Sequence, residues 1–560
     1  MKLRSLAQRK ARFGSLWTAL LVLPALLLAG CGAQTHAKKA GPPQPLVIVA
    51  NTGGDLVQNF NPFNTSVNSY GEWGPVYETL MFFNRASGSV KPWLADSSTF
   101  SSDATQITFK LHPGIKWTDG QAFTASDVAF TLNLIKQYPA IDNNGIGGSI
   151  QQAAASDPQT VVVTLTAPNS SILWFLAGQT WIVPQHIWST VGDPSKYTNP
   201  TPVGTGPYIF KSFTPQLIDF VKNPNYWQPG KPVVPEIRYP AFNGNTTAEL
   251  AMNNDQTDWN GLYTPNVQKT FIGRDTAHNH YYFAPSDPVM LFLNLKKAPF
   301  DQLAVRQAIS DAIDRSKISS VGESGYEPVA HPTGLILPAA KDYLDPNYAG
   351  SSFALDTTRA TQLLTTAGFK KGTDGILVGP NGKKLAVNLD VVTGYTDWIS
   401  DCQIIAANLQ TIGIQVNITQ DQFDTFYQNL QNGSYDMSIW GETPGPTPYY
   451  IYDEVLASAN SAPIGQAANT NFERWTDNAT DTLLNQYNST VDPTQQKQAI
   501  YGLEKIVVEQ VPVIFLMNEP YWYEYNTLKY DGWPDQTNLY AESSPYTYPD
   551  DEIVLLNLHQ

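Results

Sequence analysis

The first thirty residues constrain all that follows, because a basic start runs into an apolar stretch that ends beside one of the two cysteines of the chain. Lys2, Arg4, Arg9, Lys10 and Arg12 form a basic start, and no Asp or Glu occurs through residue 30. An apolar run over 16–28 follows, interrupted only by Thr18 and Pro24. That run is shorter than the roughly 20 apolar residues an ordinary spanning helix needs, and it suits the apolar region of a secretory signal. The chain has two cysteines, Cys31 and Cys402. With Cys31 outside the body, no intramolecular disulfide is available, and the fold has to be held by its own core.

Leu28-Ala29-Gly30-Cys31 resembles the bacterial lipobox, in which the cysteine is diacylated and becomes the new N-terminus. The reading is a signal over 1–30 and a lipidated tether over 31–45. Two acyl chains give stable anchoring where one is marginal. Residues 34–45 (QTHAKKAGPPQP) are polar, rich in Pro and short of core residues, as a flexible tether requires. No later segment has the uninterrupted apolar length of a transmembrane helix.

Single cores stop growing at about 250–300 residues, so the remainder should divide into two or three domains. Fourteen Trp and 28 Tyr argue against disorder and leave aromatic surface to spare for a binding site. The formal net charge is −15, and discounting the five basic residues of the signal takes it to −20. Nucleic acid, which requires a basic surface, is excluded as a partner. An acidic, solvated surface names no partner of its own.

Strand-like runs stand at 46–50 (LVIVA), 107–111 (ITFKL) and 160–165 (TVVVTL), bounded by turn residues. Helical spacing follows at 124–135, with Thr124 or Ser126 as N-cap, at 300–318, and at 399–412 with Gly413 as a stop before a strand at 414–418. No internal repeat interrupts the series. Mixed strands and helices throughout predict an α/β fold.

Five stretches carry more specific information: 111–127 (LHPGIKWTDGQAFTASD); 202–210 (PVGTGPYIF) with NPNYW after it; 291–315 (LFLNLKKAPFDQLAVRQAISDAIDR); 356–368 (DTTRATQLLTTAG); and 404–416 (IIAANLQTIGIQV). In this order they resemble family 5 of the bacterial extracellular solute-binding proteins, the oligopeptide, dipeptide and nickel group. Trp117, Asp127 and Arg306 in these stretches are expected to serve as turn, cap and packing residues. The resemblance implies a two-lobed fold of the periplasmic-binding-protein type II kind with an extra N-terminal subdomain (cluster C). It places lobe I at 46–90, 204–296 and 516–560, the extra subdomain at 91–203 and lobe II at 297–515. It also implies a ligand enclosed between hinged lobes, membrane permeases with cytoplasmic ATPases as partners, a monomer, and neither catalysis nor a cofactor.

Peptide-binding members of the family place an Asp shortly after a Trp in lobe II, to pair with the α-ammonium of the peptide. Here Trp440 is followed by Gly441, Glu442 and Thr443, so Thr443 stands at the expected position and Glu442 is the candidate substitute. Other stretches are similar to the oligosaccharide-binding branch: 445–450 (GPTPYY), 396–398 (TDW) and 258–261 (DWNG). Sugars stack on flat rings and take hydrogen bonds from amide and carboxylate side chains. Candidate rings are Trp73, Trp259, Trp398, Trp440, Tyr449 and Tyr450; candidate polar partners are Asn64, Asn294 and Glu442. Oligopeptide and oligosaccharide both remain open.

A secreted hydrolase is the rival class, yet the chain has no Gly-x-Ser-x-Gly elbow, His-Glu-x-x-His helix or phosphate-cradling loop. Residues 379–384 (GPNGKK) read as a hairpin-like turn. His278 and His280 would share a face in a strand, but no further ligand cluster accompanies them, so no metal site is expected. A ligand-sensing receptor that does not import is the third class. The run 521–523 (YWY) is expected to alternate between surface and core.

Overall fold

The computed structural model describes residues 41–560, except 66, 86–88, 102, 338, 443–444, 491 and the side chain of Pro285. The expected signal, Cys31, most of the tether and Thr443 lie outside the described residues.

Leu46–Val49 is apolar at every position and nearly all buried, the pattern of a strand covered on both faces. It sits inside a seven-stranded sheet whose order is Asn279–Tyr281, Glu524–Asn526, Trp259–Asn260, Leu46–Val49, Glu236–Pro240, Leu217–Lys222 and Tyr208–Thr214. Leu46–Val49 pairs in parallel with both neighbours, and the other pairings are antiparallel. A second sheet of five strands runs Gln415–Asp421, Ala386–Val392, Met437–Gly441, Pro285–Leu293 and Ile514–Pro520. Its first three strands are parallel and its last three antiparallel. Such mixed sheets with helices packed on them are the α/β layering the sequence predicts.

Two segments lead from one sheet to the other. Asn279–Tyr281 belongs to the first sheet and Pro285–Leu293 to the second; Ile514–Pro520 returns to Glu524–Asn526 in the same way. The crossings lie side by side, with the Tyr282 N–H donating to the Tyr523 carbonyl at 3.2 Å. Tyr521, Trp522 and Tyr523 are all buried, so the expected alternation with solvent does not occur. The reason is their place: a crossing strand is covered from both sides, here by Phe283 and Tyr263 edge-on to Trp522 and by Tyr525 stacked on Tyr523.

A third, antiparallel sheet of four strands is ordered Ala95–Phe100, Gln106–Leu111, Thr160–Leu165 and Ile150–Asp157. In Thr160–Leu165 the alternate residues Val161, Val163 and Leu165 are buried, as a strand with one solvated face requires. The helix Ala125–Gln137 packs against Ile150–Asp157. Thr124 is its N-cap, and the Thr124 N–H donates to Asp127 Oδ2 at 2.9 Å. The other Asp127 oxygen accepts from the Gln185 N–H at 3.0 Å, which ties a second segment to the helix start.

The expected helix over 300–318 is shorter, Leu303–Ala312. Ile313 takes an extended conformation, and the Asp314 side chain caps a new turn by accepting from the Lys317 N–H at 3.0 Å. Arg306 anchors this helix, its guanidinium donating to the carbonyls of Phe300, Asp301, Gln510 and Val511. Thr396–Thr411 forms the helix expected at 399–412, and Gly413 ends it with φ +85°, a conformation that costs glycine little. The turn at 379–384 closes through the Gly379 N–H to Lys383 and the Gly382 N–H to Gly379.

Candidate functional site

Two cavities adjoin the crossing strands. One of about 280 Å³ is walled by Trp73, Trp174, Trp181, Tyr546 and Tyr548, with Asp142, Asn143, Asn144 and Gln179 supplying polar atoms. The other, of about 310 Å³, is walled by Leu335, Ile336, Tyr343, Ile451 and residues 445–448. Arg85 and Tyr521 line both, so the two cavities adjoin across a shared wall, a groove in two parts. Small-molecule sites are concave, mostly apolar and carry a few placed polar groups, which describes this groove.

The polar edge of the first cavity is built by one carboxylate. Asp142 accepts from the N–H groups of Ile146 and Gly147, at 2.8 and 2.7 Å, and so closes the turn that carries Asn143 and Asn144. Burial raises the Asp142 carboxyl, and the N–H bonds work against that shift. Asn143 Nδ2 donates to the Phe63 carbonyl and Asn144 Nδ2 to the Gln179 carbonyl, each at 3.0 Å. These bonds fix the amides in place along the wall.

The aromatic wall is equally fixed. Trp73 Nε1 donates to the Pro62 carbonyl at 3.0 Å. Its ring lies nearly parallel to Trp181, at 11° and 6.4 Å between centroids, and Tyr548 meets it edge-on at 5.2 Å. Flat, immobilised rings of this kind bind apolar faces at little entropic cost.

Charge is concentrated where the cavities meet. The Arg85 guanidinium stands 5.1 Å over the Tyr521 ring, and the Tyr521 hydroxyl donates to Asp287 Oδ1 at 2.7 Å. Burial works against the Arg85 charge, but Tyr521, Glu542, Asp287 and Asp550 outweigh it and hold the proton more firmly than usual. Burial in turn pushes the Asp550 carboxyl up to about 7 against the pull of Arg85. Glu442 lies nearby in the same electrostatic group: burial and then Asp287 raise its carboxyl well above the ordinary range, and its Oε1 is buried without a hydrogen-bond partner.

Of the ring candidates from the sequence, Trp73 lines the groove. Trp259 is 0% exposed, with its Nε1 donating to the Ser543 carbonyl and its ring against Trp533. It is a core residue because its two-residue strand is central in the sheet. Trp398 and Trp440 pack edge-on, 5.6 Å apart, in a cluster with Phe423, Phe426 and Tyr427 that stands apart from both cavity walls. Tyr449 stacks on Tyr487 and donates to Asp453. Tyr450 donates to the Ser171 carbonyl at 2.9 Å and so ties the helix Pro448–Leu456 to the segment after the four-stranded sheet.

Among the polar candidates, Asn294 is fully buried and donates to the carbonyls of Gly433 and Tyr435, which makes it a scaffold residue. Asn64 lies between two wall residues, Phe63 and Thr65, and its N–H donates to the Asn61 carbonyl. His278 is paired with Asp275, while His280 stacks on Tyr525. Among the described residues no group of three His, Cys, Asp or Glu side chains is arranged to hold a metal ion. Sequence reasoning missed Arg85, Asn143, Trp174, Trp181 and Tyr546, since none belongs to a motif and they converge from distant segments.

Two sheet domains joined by paired crossing strands, with an aromatic groove beside the crossing, define a hinged ligand-binding protein. The chain belongs to the bacterial extracellular solute-binding proteins, family 5, whose middle region matches residues 89–463. A curated relative, the nickel-binding periplasmic protein of Escherichia coli, is 27% identical over 69% of this chain and 74% of its own length. The fold is that of a periplasmic oligopeptide-binding protein of Thermotoga maritima with mannohexaose bound, at TM-score 0.85 and 24% identity, covering 92% of this chain and 98% of that one. It is also that of AppA from Bacillus subtilis in complex with a nonapeptide, at TM-score 0.79 and 21% identity, over 92% and 99% of the two chains. Members of this family are extracytoplasmic binding components of ABC importers, and no helix among the described residues is long and apolar enough to cross a membrane.

Proposed function

We propose that this chain captures a short oligosaccharide between its two lobes and delivers it to membrane permeases. One observation carries the reading: the parallel Trp73 and Trp181 rings and the edge-on Tyr548 share a cavity with Asn143, Asn144 and Gln179. That is the pairing of stacking faces and amide groups which sugars require. The mannohexaose-bound structure is consistent with it, as a likeness of fold. The lobes are assigned by strand membership, with the crossings at 282–284 and 521–523 and the four-stranded sheet as the extra subdomain. Cys31 is assigned as the acylated anchor, and the protein acts as a monomer without catalysing a reaction.

Glu442 favours a second reading. A buried carboxyl with an unpartnered oxygen beside Asp287 is suited to receive the ammonium of a peptide. Calorimetry of the delipidated protein with manno-, cello- and xylo-oligosaccharides and with short peptides separates the two. Heat with sugars, lost in Trp181→Ala, supports the oligosaccharide; heat with peptides alone, lost in Glu442→Gln, overturns it. Trp440 and Thr443 serve as comparison positions, since the Trp440 ring is tied up in its own cluster.

A further inference from the structure

On the edge of the interface marked by Tyr263, the two lobes meet over a group of carboxyls. From the first lobe, the Tyr263 hydroxyl reaches across to the Gly322 carbonyl at 3.0 Å and to Ser324 Oγ at 2.7 Å. The Val267 N–H donates to the Tyr326 hydroxyl at 2.9 Å, and from the second lobe Tyr395 donates to Asn51 Oδ1 at 3.2 Å. Gly244 and Gly394 approach so closely that a Cβ on either would stand 3.2–3.3 Å from the other's Cα. These contacts are those of a closed edge.

Beneath them lie Glu323, Glu327 and Asp401, at 0%, 1% and 0% exposure; none of their six buried carboxyl oxygens accepts from a donor outside the group, and only the acids themselves, Glu323 with Asp401 and with Glu327, bond to one another. Asp401 Oδ1 is seated directly on Gly322, where a Cβ would stand 1.8 Å from it. Asp397, one turn earlier on the same helix, also has a buried unpartnered oxygen. The titratable groups facing these acids from other elements are Glu249 and Tyr263 of the first lobe and Glu519 of the second, while Tyr395 and Cys402 adjoin them on the helix of Asp397 and Asp401. None of the ion pairs among the described residues reaches the group.

We propose that lobe closure on this edge is coupled to proton uptake by the Glu323, Glu327 and Asp401 carboxyls, so that the protein closes in acidic medium and opens as the medium becomes neutral to alkaline. Without a cation, a buried cluster of acids is tolerable only if protons neutralise it. Burial raises Asp401 to about 8, and burial with the Asp397 charge raises Glu249 across the interface to about 7. Glu323 is raised well above the carboxylate range by burial first and then by Glu327, Asp401 and Asp397, and Glu327 by burial first and then by Glu519, Asp401 and Asp397, against a hydrogen bond from Glu323. Opening withdraws Tyr263 and Glu249, admits water and returns the acids toward ordinary values. The closed state then holds more protons than the open one between ordinary carboxylate values and about 8, and closure weakens as pH rises through that window. Each coupled proton changes the closed-to-open ratio about tenfold per pH unit.

The test uses the ligand-free, delipidated protein, so it does not depend on what the groove binds. Small-angle scattering from pH 4.5 to 9, with amide exchange of residues 318–327, is compared for wild type, Glu323→Gln/Asp401→Asn and Tyr263→Phe. The expected result is a reversible expansion of wild type with its midpoint between pH 6 and 8, together with faster exchange at 318–327. The double variant, which keeps Glu327 alone of the three acids, should expand at higher pH and more gradually than wild type. Tyr263→Phe, which keeps the acids but loses the reach across, should expand at lower pH than wild type. Circular dichroism and an unfolding curve at each pH separate opening from unfolding. A radius independent of pH in folded wild type, or a double variant that keeps the wild-type profile, would overturn the proposal.

Discussion

Glu72 offers a direct test of how burial sets the pH response of stability. It is 2% exposed beside the groove wall, its Oε2 accepts from Ser69 Oγ at 3.4 Å, and burial pushes its carboxyl from 4.5 up to about 8. The folded value is raised, so its contribution is fully present below the unfolded value and is lost as pH rises toward 8. Between those limits the unfolded chain has released a proton that the folded chain retains, and stability falls by about 1.4 kcal/mol per pH unit. At pH 7 the accumulated cost is about 3 kcal/mol. Glu72→Gln copies the protonated acid in shape and has no proton to lose. It should leave stability nearly unchanged at pH 4 and raise it by about 3 kcal/mol at pH 7. Urea unfolding followed by tryptophan fluorescence at pH 4, 5.5 and 7 reads this as a midpoint difference that grows with pH. An offset equal at all three values would mean that the substitution acts through packing, and the burial argument would fail.

Three further outcomes follow from the same structure. Trp259→Ala should cost about 3–5 kcal/mol of stability by opening a cavity in the central sheet, while calorimetric affinity for ligand in the folded fraction stays unchanged; weakened affinity would return Trp259 to the site. Arg306→Met should destabilise by several kcal/mol, because the carbonyls of Phe300, Gln510 and Val511 lose a buried donor; denaturant curves check this, and a neutral effect refutes the anchoring role. Cys31→Ser should move the protein from the membrane to the soluble fraction, and continued lipid labelling of that variant would refute the anchor.

Local chemistry made much of the fold legible in the sequence. Thr124 with Asp127 announced a helix start, Gly413 a helix end, and the β-branched run at 160–165 a strand, because caps, left-handed glycines and alternation act within a few residues. The five ordered stretches named the family because residues such as Arg306 and Asp127 bond to backbone and hold the scaffold. The groove was not legible. Trp259 and Trp73 are the same residue type in aromatic-rich surroundings, yet one is central in a sheet and the other faces a cavity. Arg85, Asn143, Trp181 and Tyr548 come from segments far apart in the chain and share a wall only because the sheets and their crossings bring those segments together. The same holds for Glu249 and Asp397, which are ordinary surface-type residues in sequence and act on each other only because distant segments bring them together. Sequence determined the elements and their family, and tertiary structure decided which side chains lose water and which face a ligand, since burial belongs to the whole arrangement and to no single segment.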